Sequence, residues 1–368
     1  MTYLSENFLT MFSEIEEAHV NIKNKVDSFS ETGNELDIKL EVELDYFLKW
    51  WAEYGGSINK TLLDLNDQEQ EEYRKFTLNS RLSKILQASP FFWRIVNRPE
   101  GYPGDAEMMN MIYRNSFEGE TPFGRFVTRG AVRSQICQAV RNRKTFLYEE
   151  IIKTGGGKIL SLAAGPAKEM YDVLNESGKN NGYDFLALDH DIKTLRNAVE
   201  SGSNDGVKYA LANAFQIIKN NLSIAFPKKE CLYDCDPGND FNGSLENINA
   251  KYEIAALVPD TYDLVYSAGL YDYIKTYPDD MDKGTAALTK NLFQLVKPGG
   301  TLVIGNMGTN INGSDLFSME YLQNWLLIKR TEDDILDFAK AIPEEYINKI
   351  EVVKEPEKIN CFLRIEKK

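Results

Sequence analysis

At Gly155-Gly156-Gly157 the chain changes character, and the pattern beyond that point fits few architectures. KILSLAAG (158–165) is a short apolar run of strand type, and a helical pattern succeeds it in AKEMYDVLNES. FLALDHD (185–191) repeats the strand and ends in acid, and IKTLRNAVES repeats the helix. VKYALANA (207–214) reads as a third strand and YDLVYSAG (262–269) as a fourth. TAALTKNLFQLV reads as a helix, and TLVIGNM (301–307) as a fifth strand after the turn Lys297-Pro298-Gly299-Gly300. Strands that alternate with helices pair in parallel through right-handed crossovers. The end departs from that rule. After a helical TEDDILDFAKAI, the runs IEVVKEP and NCFLRIEKK lie close enough to form an antiparallel hairpin. The expectation is an α/β, Rossmann-like sheet, mostly parallel, over residues 151–368.

Residues 1–150 read as a helical domain. In LDIKLEVELDYFLKWWAEY (36–54), Leu40, Leu44, Phe47, Leu48 and Trp51 recur at helical spacing, and Gly55-Gly56 is expected to end the helix. A second helix is expected from Asp67 as N-cap, with Pro90 as the breaker behind it. NRPEGYPGDAEMMNMIYRN places two prolines and two glycines within 99–104, an ordered loop, and Asp105 then opens a helix. Residues 124–153 read as one long helix. Arg125, Arg129 and Arg133 share a face of it, a stripe expected to pair with the chain's many acids.

Composition narrows the function. Asp and Glu number 56 against 42 Lys and Arg, a net charge of −14, which argues against nucleic-acid binding over a broad basic surface. The four cysteines, Cys137, Cys231, Cys235 and Cys361, are too few and scattered for a disulfide scaffold. With only His19 and His190 as histidines, no three-histidine metal site can form, and no metal is expected. MTYLSENFLTMF has no basic leader region, and no long apolar window occurs beyond it, so a cytoplasmic location without a membrane span is expected. The polar stretch 219–257 reads as an insertion between the third and fourth strands. Within it, DCDPGNDFNGSLE has its glycine and final glutamate misplaced for a calcium-binding loop.

Four soft signals agree in order. Ala163, Ala164 and Gly165 make a small-residue turn between strand and helix, where a ligand can approach the backbone; plain strand–helix packing would also use it. The full glycine fingerprint of pyrophosphate sites is missing. Asp189 ends the second strand, where an acid can take two ribose hydroxyls. Asn213, Ala214 and Phe215 come after the third strand, where an amide can read an adenine edge. Ser267, Ala268 and Gly269 line the end of the fourth.

LSLAAGPAKE, LALDHD, ANAF, YDLVYSAGLYDYI and LVKPGGTLVIGNM together resemble the motifs of class I S-adenosylmethionine-dependent methyltransferases, over residues 153–368. A narrower likeness, in NRPEGYPGDAEMMNMIY, AVRNRK, YSAGLYDYI and NWLLIKRTEDDI, is to bacterial methyltransferases of 3-hydroxypalmitic acid methyl ester biosynthesis. The resemblance implies S-adenosylmethionine as cofactor and S-adenosylhomocysteine as product. It implies that Ala163, Ala164 and Gly165 border the methionine part, that Asp189 takes the ribose beside His190, and that Asn213, Ala214 and Phe215 meet the adenine. Ser267, Ala268 and Gly269 would floor the sulfonium. Arg141 or Arg143 would pair with the cofactor carboxylate, with Arg141 as the first choice. Tyr271 and Tyr102 are the candidate catalytic groups; ordinary packing is the competing account of each. The leading expectation is O-methylation of a carboxyl or hydroxyl on a small molecule, a fatty-acid-like acceptor being one option. N-methylation of an amine or peptide and a non-catalytic cofactor-sensing module stay open.

Overall fold

The computed structural model describes residues 4–177, 182–194, 196, 206–228 and 251–368. Two compact units emerge: Met1–Arg141 with Asn310–Leu326, and Asn142–Thr309 with Leu327–Lys368. The helical unit therefore takes in a segment that comes after the fifth expected strand in sequence. Among the described residues no helix is long and apolar enough to cross a membrane.

The second unit is built on one sheet. Its described strands are β1 Gly157–Leu162, β2 Tyr183–Asp189, β3 Val207–Leu211, β4 Ser223–Pro227, β5 Tyr252–Ala256, β6 Tyr262–Ala268, β7 Val296–Met307, β8 Ile347–Lys354 and β9 Asn360–Lys367. Their order is β5-β4-β3-β2-β1-β6-β7-β9-β8. β3, β2, β1, β6 and β7 run parallel, while β9 joins β7 antiparallel and β8 completes the hairpin. The period-2 alternation of the strands divides the core between the sheet's faces. Leu160, Leu186 and Val265 pack in one apolar cluster, and their neighbours Ile159, Phe185 and Leu264 in another.

The 219–257 insertion is structured at its edges. β4 and β5 pair antiparallel with each other, and Leu211 meets Ala225 to continue the sheet beyond β3. The calcium-loop-like sequence, Cys231 and Cys235 lie outside the described residues. So does part of the helix expected over 192–201.

In the helical unit the structure revises four sequence readings. Gly55-Gly56 does not stop its helix, which runs Gly33–Lys60. These glycines admit a neighbour instead: a Cβ on Gly55 would stand 2.8 Å from Ser314 Cβ, and one on Gly313 would stand 3.1 Å from Gly56 Cα. Asn66, one residue before Asp67, caps Asp67–Leu78 in a reciprocal box with Glu69. Pro90 opens a helix, Pro90–Asn97, at a position where a missing N–H costs nothing. The long helix of 124–153 is two, Pro122–Val132 and Gln135–Lys153. Ser134 Oγ accepts the Cys137 N–H and Asp315 Oδ2 the Ile136 N–H, which satisfies first-turn donors of the second helix.

Other expectations hold. Asp105 caps Ala106–Arg114 through the Met108 N–H, and both its oxygens lie 2.7 Å from Arg94 Nε. Arg125 pairs with Asp37, Arg129 with Glu41, and Arg133 with Glu41 and Asp45, so two helix faces match at four-residue spacing.

Candidate functional site

The sheet unit gathers the four motif segments at one edge. The chain moves from β1 through β2 to β3 on one side, and β6 and β7 lie on the other. The order thus reverses at the β1/β6 pair, and crevices for ligands open at the carboxyl ends of strands beside such a reversal. Each motif sits at such an end: Ala163, Ala164 and Gly165 after β1, Asp189 and His190 at the end of β2, Asn213 after β3, and Ser267, Ala268 and Gly269 at the end of β6.

The first turn is held in a left-handed path, with φ of 56° at Ala163, 53° at Gly165 and 45° at Ala167. Left-handed backbone is unfavourable for alanine, so the surroundings must hold it there. Two restraints are visible. The Gly165 N–H donates to Asp189 Oδ2 at 2.9 Å, and the Ala164 N–H to the Leu188 carbonyl at 3.0 Å. A Cβ built on Gly165 meets nothing within 4 Å, so open space fronts the turn.

Asp189 is 4% exposed. Its Oδ1 accepts the Asp191 N–H at 3.0 Å and lies 3.3 Å from His190 Nδ1. Each carboxylate oxygen has two lone-pair sites, so these bonds leave acceptor capacity for a ligand diol. The contact with Asp189 in turn raises the pKa of the largely exposed His190. Asn213 caps the short helix Ala214–Ile218, its Oδ1 taking the Phe215 N–H at 2.8 Å. Phe215 is 66% exposed, an aromatic face left in solvent at the strand end.

The floor is rigid. Ser267 is fully buried and donates through Oγ to the Leu162 carbonyl at 2.9 Å, which ties the ends of β1 and β6. Gly269 has φ of 96°, and a Cβ there would lie 2.9 Å from Arg143 Nη1. Only glycine lets that guanidinium come so close.

Two expected residues change role. Arg141 belongs to the helical unit, where its guanidinium donates to the Ile112 and Val132 carbonyls at 3.1 and 2.8 Å and to Gln138 Oε1. Arg143, two positions on and 9% exposed, is the arginine at the β6 end. Residues two apart on a helix face different ways, so the two arginines have separate surroundings. Tyr271 is fully buried, its hydroxyl 3.0 Å from Thr289 Oγ1 and its ring tilted against Phe338 at 5.1 Å. That is a packing position, and burial raises its pKa further from that of a base. Tyr102 lies partly buried in the loop before Asp105, within the helical unit.

Support comes from residues that carry no motif. Arg330, 4% exposed, donates to the Tyr271 carbonyl at 2.8 Å and to Asn306 Oδ1 at 2.6 Å. Asp272 accepts the Met307 N–H at 2.6 Å. Together they pin the segment after β6 to the end of β7. Below the first turn, Tyr266 donates to Glu169 Oε1 at 2.6 Å, both groups buried. The only advance signal was a polar residue inside an apolar run, as at Tyr266 in LVYSAG.

No family model and no curated protein matches the chain. Solved structures do. A possible exported protein from Bordetella parapertussis is 14% identical and covers 88% of this chain and 96% of its own, with a TM-score of 0.50, a likeness of fold. A SAM-dependent methyltransferase from Thermotoga maritima, described as a possible histamine N-methyltransferase, is 11% identical over 62% of this chain and 91% of its own, with a TM-score of 0.36. Magnesium protoporphyrin IX methyltransferase from Synechocystis PCC 6803 is 9% identical over 72% of this chain and 96% of its own, with a TM-score of 0.40.

Proposed function

We propose that the protein is an S-adenosylmethionine-dependent methyltransferase acting on a small-molecule acceptor, by O-methylation of a carboxyl group. The observation that carries this reading is the latch between Asp189 and Gly165 at the β1/β6 reversal. It sets a buried carboxylate beside a small-residue turn with open space before it.

The donor set fits the cofactor. Asp189 retains acceptor capacity for the ribose hydroxyls, Asn213 offers its amide to the adenine edge, and the exposed Phe215 ring lies next to it. Ala163, Ala164 and Gly165 border the methionine part, and Arg143 offers a planar donor pair for its carboxylate. Bound there, the cofactor supplies an electrophilic methyl on a sulfonium. The chain's work is to orient the two partners and exclude water. Ser267, Ala268 and Gly269 provide an uncharged floor, tied to β1 by the Ser267 hydroxyl, that does not compete for the methyl group.

Basicity favours a carboxyl acceptor over a hydroxyl or an amine. A carboxylate is already nucleophilic at neutral pH, whereas an alcohol or ammonium acceptor needs a proton removed. Tyr271 is locked in the core, and His190 Nδ1 is turned to Asp189, so neither is placed as a dedicated base for the acceptor. Transfer of labelled methyl from S-adenosylmethionine to an acceptor panel, beginning with hydroxy fatty acids, tests the reading. Turnover of carboxylates with a rate that is flat from about pH 6.5 to 9 is expected. Turnover confined to amines, rising steeply with pH, would replace it with N-methylation. Cofactor binding without turnover of any acceptor would point to a sensing module.

A further inference from the structure

The helical unit has a cavity of its own, with a volume of about 120 Å³. Its walls are apolar and aromatic for the most part, among them Phe47, Trp51, Phe126 and Trp325. Cavities of about 150 Å³ with apolar walls take a benzene ring. The space here is somewhat smaller, on the scale of a single small ring.

One polar group in the wall is incompletely bonded. His19 is 6% exposed, and its Nδ1 lies 2.7 Å from the Ile15 carbonyl. A carbonyl oxygen only accepts, so Nδ1 carries the proton and Nε2 presents a lone pair. Among the described residues Nε2 has no hydrogen-bond partner. Burial lowers the His19 pKa to about 4, so the ring is neutral across the physiological range. Phe47 and Trp51 hold it edge to face, with centroids at 5.0 and 5.6 Å, which fixes its orientation.

Charge in the wall restricts the occupant further. No lysine or arginine lines the cavity, so an anionic head would be buried without a partner. The acid that does line it, Asp315, is committed to the Ile136 N–H, and burial raises its pKa.

We propose that this cavity is a binding site for a neutral, ring-sized aromatic molecule with a single hydrogen-bond donor, of the phenol class, whose donor meets His19 Nε2. The site lies wholly within the helical unit and does not depend on the methyl-transfer reading.

Phenol and toluene are the probes, matched in size and differing in the donor. Titration of the full chain, followed by calorimetry and by the emission of Trp51 and Trp325, compares them. Toluene leaves water the more readily, so a cavity without a polar partner would prefer it. The proposal expects phenol to bind about tenfold more tightly, the net value of about one hydrogen bond to His19 Nε2. His19→Phe should abolish that preference, and Ala131→Leu should block both probes. Toluene binding as tightly as phenol, or no binding of either, would overturn the proposal and leave the cavity a void or a water site. The nitrogen resonances of the chain's two histidines give a readout that needs no variant. His19 Nε2 should shift on addition of phenol and stay put with toluene; an unmoved resonance at saturating phenol also refutes the proposal.

Discussion

Replacing Tyr266 by Phe should destabilise the sheet unit, and by an amount that depends on pH. The Tyr266 hydroxyl donates to Glu169 Oε1 at 2.6 Å, a length typical of a bond to a charged acceptor. Tyr266 is 1% exposed and Glu169 5%, so water cannot take the hydroxyl's place without opening the core. Burial is the main cause that raises the Glu169 pKa above its ordinary 4.5, and the tyrosine bond opposes that rise. A carboxyl whose folded pKa is raised gives a contribution to stability that is fully present below the unfolded pKa and is lost as pH rises through the folded pKa. In the variant the opposing bond is gone, the folded pKa climbs further, and the loss with pH is larger. Near pH 4 the carboxyl is mostly protonated in both states, and the variant forfeits a neutral hydrogen bond of about 1 kcal/mol. Once the pH has passed the folded pKa it forfeits a bond to a charged group, about 2–3 kcal/mol. The chain's four tryptophans, Trp50, Trp51, Trp93 and Trp325, all lie in the helical unit. Tryptophan emission therefore reports directly on the helical unit, while far-ultraviolet circular dichroism in guanidinium reports on the whole described chain, the sheet unit included. Equal loss below and above the folded pKa, or no loss, would refute the reasoning. Glu169→Gln keeps an acceptor without the charge and should flatten the pH dependence.

Gly55→Val should lower the stability of the helical unit by about 1–3 kcal/mol, despite valine's better helix propensity, because its Cβ would enter the space of Ser314. The tryptophan-monitored midpoint reads this directly, and an unchanged or higher midpoint counts against the close-approach explanation. Arg330→Met should cost the sheet unit about 3–5 kcal/mol, since it leaves the Tyr271 carbonyl and Asn306 Oδ1 buried without their donor. A loss below about 1 kcal/mol in the same guanidinium titration would show that the network reorganises.

How much of the fold was legible in the sequence depends on where each signal resides. The parallel strands were readable because each is a short apolar run flanked by helical periodicity, and the hairpin because its two runs are too close for a crossover. The strand-end placement of the four motif segments was readable because the alternation locates each strand end to within a residue or two. Contacts that depend on a distant partner were hidden. Gly55-Gly56 resembles a stop in one dimension and is a contact site in three, because Ser314 arrives from a segment some 260 residues later. β4 and β5 escaped notice because they flank a polar stretch and are short. Arg141 and Arg143 look alike in sequence, and only the helix's rotation separates the one that holds backbone carbonyls from the one at Gly269. Tyr271 stands beside the right strand but turns into the core. His19 had one visible cue: it continues the apolar stripe of Phe8, Phe12 and Ile15 on its helix, a place where a polar ring must be buried.

The central claim is that the crevice at the β1/β6 reversal holds S-adenosylmethionine through Asp189. Calorimetric titration of the full chain with S-adenosylhomocysteine tests it most directly, in wild type, Asp189→Asn and Asp189→Ala. The account predicts binding by wild type, weaker binding by Asn, which keeps one acceptor oxygen, and at least about a tenfold loss in Ala, from which both the ribose acceptors and the latch on Gly165 are gone. Binding of equal strength in Asp189→Ala, or none by folded wild type, would contradict it.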